Sequence, residues 1–542
     1  MTPSRPTHAC DYLIVGGGTA GCVLAARLSE DPACRVLLLE AGDADNHPLL
    51  AVPGATAITA TVPRFNWSLA TEAEREMADR KLFISQGRVL GGGSSINGLV
   101  YTRGQPWDYD NWRDLGATGW GFDDVLPYFR QSETNERGAS HWHGDAGPVK
   151  IARGRSDLEI CEPFLAACGA AGVPVVDDLN VGQSDGVGYF DSFIHRGRRS
   201  SSASSYLRPA LKRPNLTVVT NALATRLILD GDRVAGCEYT KDGATCSALA
   251  GTETVLSAGA IQSPRLLMLS GIGHAAKLEA LGIKVTANAP EVGANLQNHV
   301  ALKLTWTCVK PITAYRYLNP WRAAATGLEY LLARSGYLAQ LPTPIGGFLR
   351  TDASLPCPDI QIFINPALVG RFDQGLLKML PKEHGFSVFV NQGRPWSRGD
   401  VSLSANSPTA PMRIEGRYFS DRRDRDVLAR GVEMMRDIVQ GGPLAPTIGK
   451  QLLPGDAVRT HAELDAFISA NASNYWHVSG TCRMGSDDTA VVDSRLCVRG
   501  VRGLRVADAS IMPTLINGNT SGPIMMIAEK AAAMMREDRG NL

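Results

Sequence analysis

At 542 residues the chain is too long for a single hydrophobic core, so two domains are the natural arrangement. Its 55 basic residues balance 54 acidic ones, and with no long single-sign run it offers no field to recruit nucleic acid or an anionic membrane. No apolar run is long enough to span a bilayer, MTPSRPTHAC lacks the apolar core of an export signal, and eleven cysteines fall without a CxxC pair or metal-like spacing, which together predict a cytoplasmic protein with buried thiols.

The first predicted elements are an apolar strand, Tyr12 to Val15, a glycine turn, and an amphipathic helix, Ala20 to Ser29, before a second strand that ends on Glu40. In that setting Gly16 makes the tight turn, Gly18 lets backbone N–H groups approach a pyrophosphate, and Gly21 lets the helix pack on the strand, while the helix N-terminus attracts phosphate. Glu40 is placed for ribose hydroxyls, and its charge disfavours a 2′-phosphate, so the unit predicts an FAD or NAD site rather than an NADP site. Gly42 to Gly87 shows little periodicity. The glycines and serines of GRVLGGGSSINGLVYTRG, Gly87 to Gly104, suit a backbone laid against a ligand.

Leu216 to Val219, Thr225 to Leu229, Arg233 to Tyr239 and Glu253 to Leu256 read as short strands, with Asp230-Gly231-Asp232 turning the second into the third. They lead into GAIQSPRLLMLSGIG, Gly259 to Gly273, an apolar helix that Gly271 stops. From Leu302 to about Ala470 the pattern changes to aromatic and proline-rich loops. Strand-like runs at Ile360 to Ile364 and Phe386 to Val390, with a helical stretch from Asp424 to Val439, predict a second layer over the first domain. Rossmann-like chemistry returns at LRVADAS, Leu504 to Ser510, ahead of a closing apolar helix, Pro523 to Met535. His141 and His143 have a spacing that could ligate a metal, but no third and fourth ligands accompany them, so no metal is expected. Arg196, Arg198 and Arg199, ahead of the run Ser200 to Ser205, predict a solvated or domain-bridging face rather than a phosphate site.

Six separated motifs resemble, in their order, the glucose–methanol–choline (GMC) oxidoreductases over nearly the whole chain. They are the N-terminal fingerprint, the Gly87 and Gly259 segments, GANLQNH (Gly293 to His299), NYWHVSGTCRMG (Asn474 to Gly485) and the tail VADASIMPTLINGNTSGPIMMIAEKAA. WDYDNW, Trp107 to Trp112, and HGDAGP, His143 to Pro148, are similar to phrases of the bacterial alcohol and choline dehydrogenase branch. The resemblance implies an α/β fold, α+β overall. A Rossmann-like FAD-binding domain would be assembled from 1–155, 200–301 and 478–542, and a substrate domain, an antiparallel sheet with helices, from 156–199 and 302–477. It further implies oxidation of a primary alcohol to the aldehyde, with a small-molecule alcohol as substrate and a quinone, an artificial dye or O2 as electron acceptor. Branch similarity favours a dehydrogenase. The same scaffold leaves open an alcohol oxidase, a choline dehydrogenase, a non-redox hydroxynitrile lyase, a photodecarboxylase and a flavin-bearing protein without turnover.

Passing a hydride to a flavin requires the hydroxyl proton to leave, which calls for a base and for a polar partner to the developing alkoxide. His477, between the bulky Trp476 and the small turn Val478-Ser479-Gly480, matches the family's catalytic histidine. Asn519 matches the position of its partner, with Asn517 as rival. The cofactor contacts implied by the resemblance fall on Gly16, Gly18, Thr19, Ala20, Gly21, Glu40 and Ala41, and on Arg88, Gly92, Gly93, Ser94, Asn97, Gly98 and Val100 of the second glycine segment. They continue at Ala224 with Thr225, at Trp476, at Asp508 and Ala509, and at Asn519 and Thr520. Some relatives tether FAD through a histidine where this chain has Ile96, so a non-covalent FAD is expected. Asn298 stands where relatives have aspartate and is given no catalytic meaning. The segment Leu341 to Phe348 carries no acid of the kind choline dehydrogenases use, which predicts a neutral pocket, with Tyr315, Tyr317 and Trp321 as candidate aromatic walls.

Overall fold

In the computed structural model, which describes residues 8–370 and 382–540, the N-terminal apolar run lies in β1 (His8–Val15), where Tyr12 to Val15 are all buried. The helix α1 (Thr19–Leu28) follows, and β2 (Val36–Leu39) pairs with β1 in parallel. β3 (Leu216–Val219) extends that edge in parallel. β4 (Leu223–Asp230) and β5 (Arg233–Lys241) form the predicted hairpin, with Asp230 opposite Arg233 around Gly231. β6 (Ala244–Leu256) pairs with β5 in antiparallel and with β1 in parallel, so the order is β3-β2-β1-β6-β5-β4, with Leu504–Val506 lying parallel to the end of β6. The predicted strand at Glu253 to Leu256 is only the end of β6. Its earlier residues mix Ala, Ser, Gly and Thr without apolar alternation, so only the apolar end shows in the pattern. α2 (Gly259–Leu269) follows β6 directly.

A second sheet is wholly antiparallel. Its centre runs β7 (Val300–Cys308), β10 (Gly385–Gln392), β9 (Ile360–Asn365) and β8 (Ile345–Leu349), edged by Ile448–Leu453 and Gly186–Tyr189. Successive side chains on a strand point to opposite faces. One face therefore sets Ile360, Ile362, Ile364, Val388 and Val390 in an apolar core with residues of α3 (Arg423–Gln440). The other sets Phe348, Phe363 and Phe389 in the core of the first sheet. On that inner face Gln361 and Asn391 are directly opposed across β9 and β10. The closing helix α4 (Ser521–Gly540) packs on α1 and is pinned by the buried Glu529, which accepts from Arg27 at 2.8 Å and from the Tyr206 hydroxyl at 2.6 Å. Among the described residues no helix is long and apolar enough to cross a membrane.

Candidate active site

The dinucleotide unit is built as its spacing predicts. A Cβ on Gly21 would fall 1.9 Å from the Gly16 carbonyl oxygen, so only glycine lets α1 approach β1 this closely. No side chain caps the N-terminus of α1, leaving its first N–H groups for an anion. The second glycine segment lies across this end: Gly91 N–H donates to Gly17 O at 2.7 Å and Ser94 N–H to Thr19 Oγ1 at 3.2 Å. Gly92 takes φ +50, and a Cβ there would meet the Gly18 Cα at 2.7 Å, so two glycine backbones form one cradle. Beyond it a cleft is lined by Glu40, Ala41, Trp67, Ala224 and Gln262, whose buried Nε2 has no protein partner. Glu40 accepts N–H groups from Gly17 and Gly42 at 2.8 and 2.7 Å. Burial pushes its carboxyl up to about 7 against those bonds. A glycine cradle, an uncapped helix end and a carboxylate-lined adenosine cleft fit an FAD.

The remaining cofactor residues divide by role. The Arg88 guanidinium lies over the Trp67 ring, 4.8 Å from its centroid. Gly93 and Gly98 are exposed, Val100 is buried, and Ile96 is buried in an apolar cluster with Leu50, Phe65 and Val89. Asp508 spends its carboxylate on the Gly259 N–H and Ser263 hydroxyl at the start of α2, so it positions that helix, while Ala509 O accepts from Gly480 N–H. Trp476 donates its indole N–H to Phe83 O and takes φ +63, a left-handed backbone immediately before His477. Thr520 O accepts from Ile524 N–H in the first turn of α4. The basic cluster is split. Arg196 and Arg198 are exposed, whereas Arg199 is buried, donating to Leu50 O, Ser94 O and the Asn97 Oδ1 at 3.0, 3.2 and 2.7 Å, and burial pushes it down to about 9. Arg199 thus braces the second glycine segment instead of forming a solvated face.

His477 and Asn519 meet. His477 Nε2 lies 3.5 Å from Asn519 Nδ2, while Asn519 Oδ1 accepts from Gln361 Nε2 at 3.2 Å and its N–H donates to Thr102 Oγ1 at 2.9 Å. Asn517 does not join them: it is fully buried and donates its amide to Pro358 O. On the other side of the imidazole, His477 Nδ1 is 2.7 Å from His299 Nδ1. Asn298, expected to have no bearing on the chemistry, accepts the His477 N–H at 2.7 Å and donates to the Tyr418 hydroxyl at 3.0 Å. It clamps the backbone of the histidine. Burial holds the His477 imidazole well below its ordinary value, and a charge on His299 would lower it further. His299, Gln361 and Thr102 are the site residues that sequence reasoning missed; His299 had a signal as the last residue of GANLQNH and Thr102 as part of the Gly87 to Gly104 segment, whereas Gln361 had none.

The inner face of the second sheet covers this pair. Tyr475 stacks on Phe363 at 5.4 Å and lies 6.0 Å from Phe389 and 5.6 Å from the His477 ring. The expected aromatic walls lie elsewhere. Tyr317 stacks on Tyr337, Tyr315 meets His384, and Trp321 is 85% exposed on the helix Pro320–Ala333. His143 is buried between Glu133 and Asp178, and His141 packs edge-on against Trp142, so the histidine pair serves its loop.

Comparison with known proteins identifies the family. The N-terminal model of the GMC oxidoreductases matches residues 10–301 and the C-terminal model residues 395–528. The chain is 42% identical to the mitochondrial choline dehydrogenase of Homo sapiens, over 97% of this chain and 89% of that one. It is 40% identical to the oxygen-dependent choline dehydrogenase of Brucella anthropi, over 96% and 94%. Among solved structures it superposes on pyridoxine 4-oxidase from Mesorbium loti with a TM-score of 0.88 at 32% identity, covering 97% of this chain and 99% of that one. For a formate oxidase of Aspergillus oryzae the TM-score is 0.92 at 26% identity, covering 99% and 100%.

Proposed function

We propose that this chain, which belongs to the GMC oxidoreductase family, oxidises an uncharged primary alcohol to the aldehyde with His477 as base and Asn519 as partner of the oxygen. It is an FAD-dependent oxidoreductase, and bound FAD supplies the acceptor for the hydride that leaves the alcohol carbon. The observation that carries the reading is the convergence of His477 Nε2 and Asn519 Nδ2, a base and an N–H donor 3.5 Å apart. An alcohol oxygen at that point gives its proton to Nε2 and accepts an N–H from Asn519 as negative charge develops on it. Thr102 accepts the backbone N–H of Asn519 and Gln361 orients its side-chain amide through Oδ1, and Tyr475, Phe363 and Phe389 shield the reacting oxygen from water. Unpaired thiols throughout the chain support a reducing, cytoplasmic setting.

The relatives are named for choline, but the inner face here favours a neutral substrate. Register places Ala301, Lys303, Gln361, Phe363, Phe389 and Asn391 on one face of β7, β9 and β10, and no carboxylate stands among the residues of that face to offset a trimethylammonium group. Uncharged primary alcohols, aliphatic or aryl-substituted, should therefore exceed choline in kcat/KM by at least roughly tenfold, or about 1.4 kcal/mol of transition-state binding. Side-by-side kinetics with an artificial acceptor decide it, and a preference for choline would overturn the neutral pocket. Repeating the assay in air without the acceptor separates oxidase from dehydrogenase.

FAD is held without a covalent bond, because Ile96 offers no nucleophile and is committed to its apolar cluster. Acid precipitation should leave yellow flavin in the supernatant. Colour retained by the washed pellet would reveal a tether elsewhere.

A further inference from the structure

His299 lies outside the pair that meets the substrate, yet its surroundings determine where its own proton sits. His299 Nε2 is 2.9 Å from Gly393 O and 3.0 Å from Ile516 O, and a carbonyl oxygen can only accept. The Nε2 position is therefore protonated, and in the neutral ring Nδ1 carries the lone pair. That lone pair lies 2.7 Å from His477 Nδ1. Two lone pairs cannot face each other at this distance, so His477 must hold its own proton on Nδ1 and donate it to His299. Its Nε2 is then the bare nitrogen. From the opposite side Asn519 requires the same assignment, since its Nδ2, oriented by Gln361 on Oδ1, is a donor aimed at Nε2.

We propose that His299 is a positioning residue that fixes the tautomer of His477: two backbone carbonyls set the His299 proton, and His299 in turn keeps His477 Nε2 unprotonated and aimed at the alcohol. This rests on His477 being the base. When the alcohol O–H bond breaks, its proton forms the Nε2–H bond of an imidazolium whose Nδ1–H already has an acceptor. His299 gains no proton in this step. Burial holds His299 down to about 4, so the ring that faces His477 is the neutral acceptor. Without His299 the neutral His477 would be free to place its proton on Nε2, where it could accept nothing from the substrate. The arrangement resembles the logic by which an orienting group holds a catalytic histidine in one tautomer, except that the orienting group here is a neutral imidazole locked by main-chain carbonyls.

Two substitutions separate this role from a structural one. Asparagine at 299 puts an acceptor oxygen near the Nδ1 position but cannot reach the carbonyls. Glutamine reaches the carbonyls from near the Nε2 position and leaves His477 Nδ1 without an acceptor. We expect His299→Gln to lower kcat by about 10²-fold or more with FAD content and KM retained, and His299→Asn to stay within about tenfold of wild type. A merely structural His299 predicts the reverse order, and that result would overturn the proposal. A second readout does not depend on turnover. In holoenzyme labelled with 15N-histidine, with the His477 signals identified by their loss in His477→Gln, nitrogen shifts should show Nδ1 protonated and Nε2 bare in the neutral ring. A proton on Nε2 in the wild type would overturn the proposal even if neither 299 variant folds. Normal turnover in His477→Ala would instead remove the base assignment itself, leaving the tautomer to be settled by the nitrogen shifts alone.

Discussion

Replacing His477 with alanine should lower kcat by about 10²- to 10⁴-fold while leaving FAD content unchanged. The two effects separate because they arise in different places. The dinucleotide is held by the cradle of Gly16 to Gly18 with Gly91 to Ser94 and by the Glu40 cleft, whereas the proton acceptor stands between Asn519 and His299. The pH profile gives an independent check. A general base works in its neutral form, and burial holds His477 well below the ordinary histidine value, so kcat/KM should stay level as pH falls through 6.5 and decline only at lower pH. A wild-type break at or above 6.5 would mean that the group titrating is not this buried imidazole. Near-normal turnover in the alanine variant would remove His477 from the mechanism.

The parts of this architecture that are legible in the sequence are those decided within a short stretch of chain. The turn, helix and acid from Gly16 to Glu40 follow from local periodicity and turn chemistry, and the structure places each as expected. His477 and Asn519 are legible through their motif. What surrounds them is not, because it arrives from afar: His299 reaches His477 across 178 positions and Gln361 reaches Asn519 across 158. Nothing local marks a Gln in an apolar strand as an orienting group. The substrate walls fail for a related reason. β9 and β10 are buried on both faces, so Ile360 to Ile364 reads as an apolar run interrupted only by Gln361, and periodicity alone does not tell which face meets the substrate. Tyr315, Tyr317 and Trp321 attract attention by composition, whereas Phe363, Phe389 and Tyr475 hold the position by register. Arg199 shows the limit of reading charge: a run of arginines suggests solvent, but one of its members is buried under Ser94 and Asn97.

The same limit applies to the loop histidine, and there it leads to the largest expected effect on stability. Glu133 is fully buried and its Oε1 receives Arg103 Nη2 at 2.6 Å, His143 Nδ1 at 2.8 Å and Gly144 N–H at 3.1 Å. Arg103 also donates to the Tyr101 hydroxyl and Trp142 O, and His143 Nε2 lies 2.8 Å from Asp178 Oδ2. Tyr101 and Arg103 flank Thr102, so this ion network underlies the segment that holds Asn519. Removing one partner from a buried network leaves uncompensated charge, at a cost of about 3–5 kcal/mol, whereas exposed pairs contribute little. Glu133→Gln should therefore lower the unfolding free energy of the holoenzyme in urea by about that amount, while Arg113→Ala, which breaks an exposed pair with Asp110, stays near wild type. Burial opposes the charge on His143, but Asp178 and Glu133 outweigh it and push the imidazole up to about 9. A raised value means that the folded state binds the proton more tightly. The stabilisation is therefore complete below 6.5, the ordinary value, and is lost as pH rises through about 9. The stability gap between wild type and His143→Gln should accordingly be widest on the acid side of 6.5 and close on the alkaline side of 9. A gap that stays constant across that range would show that His143 acts by packing and not by charge.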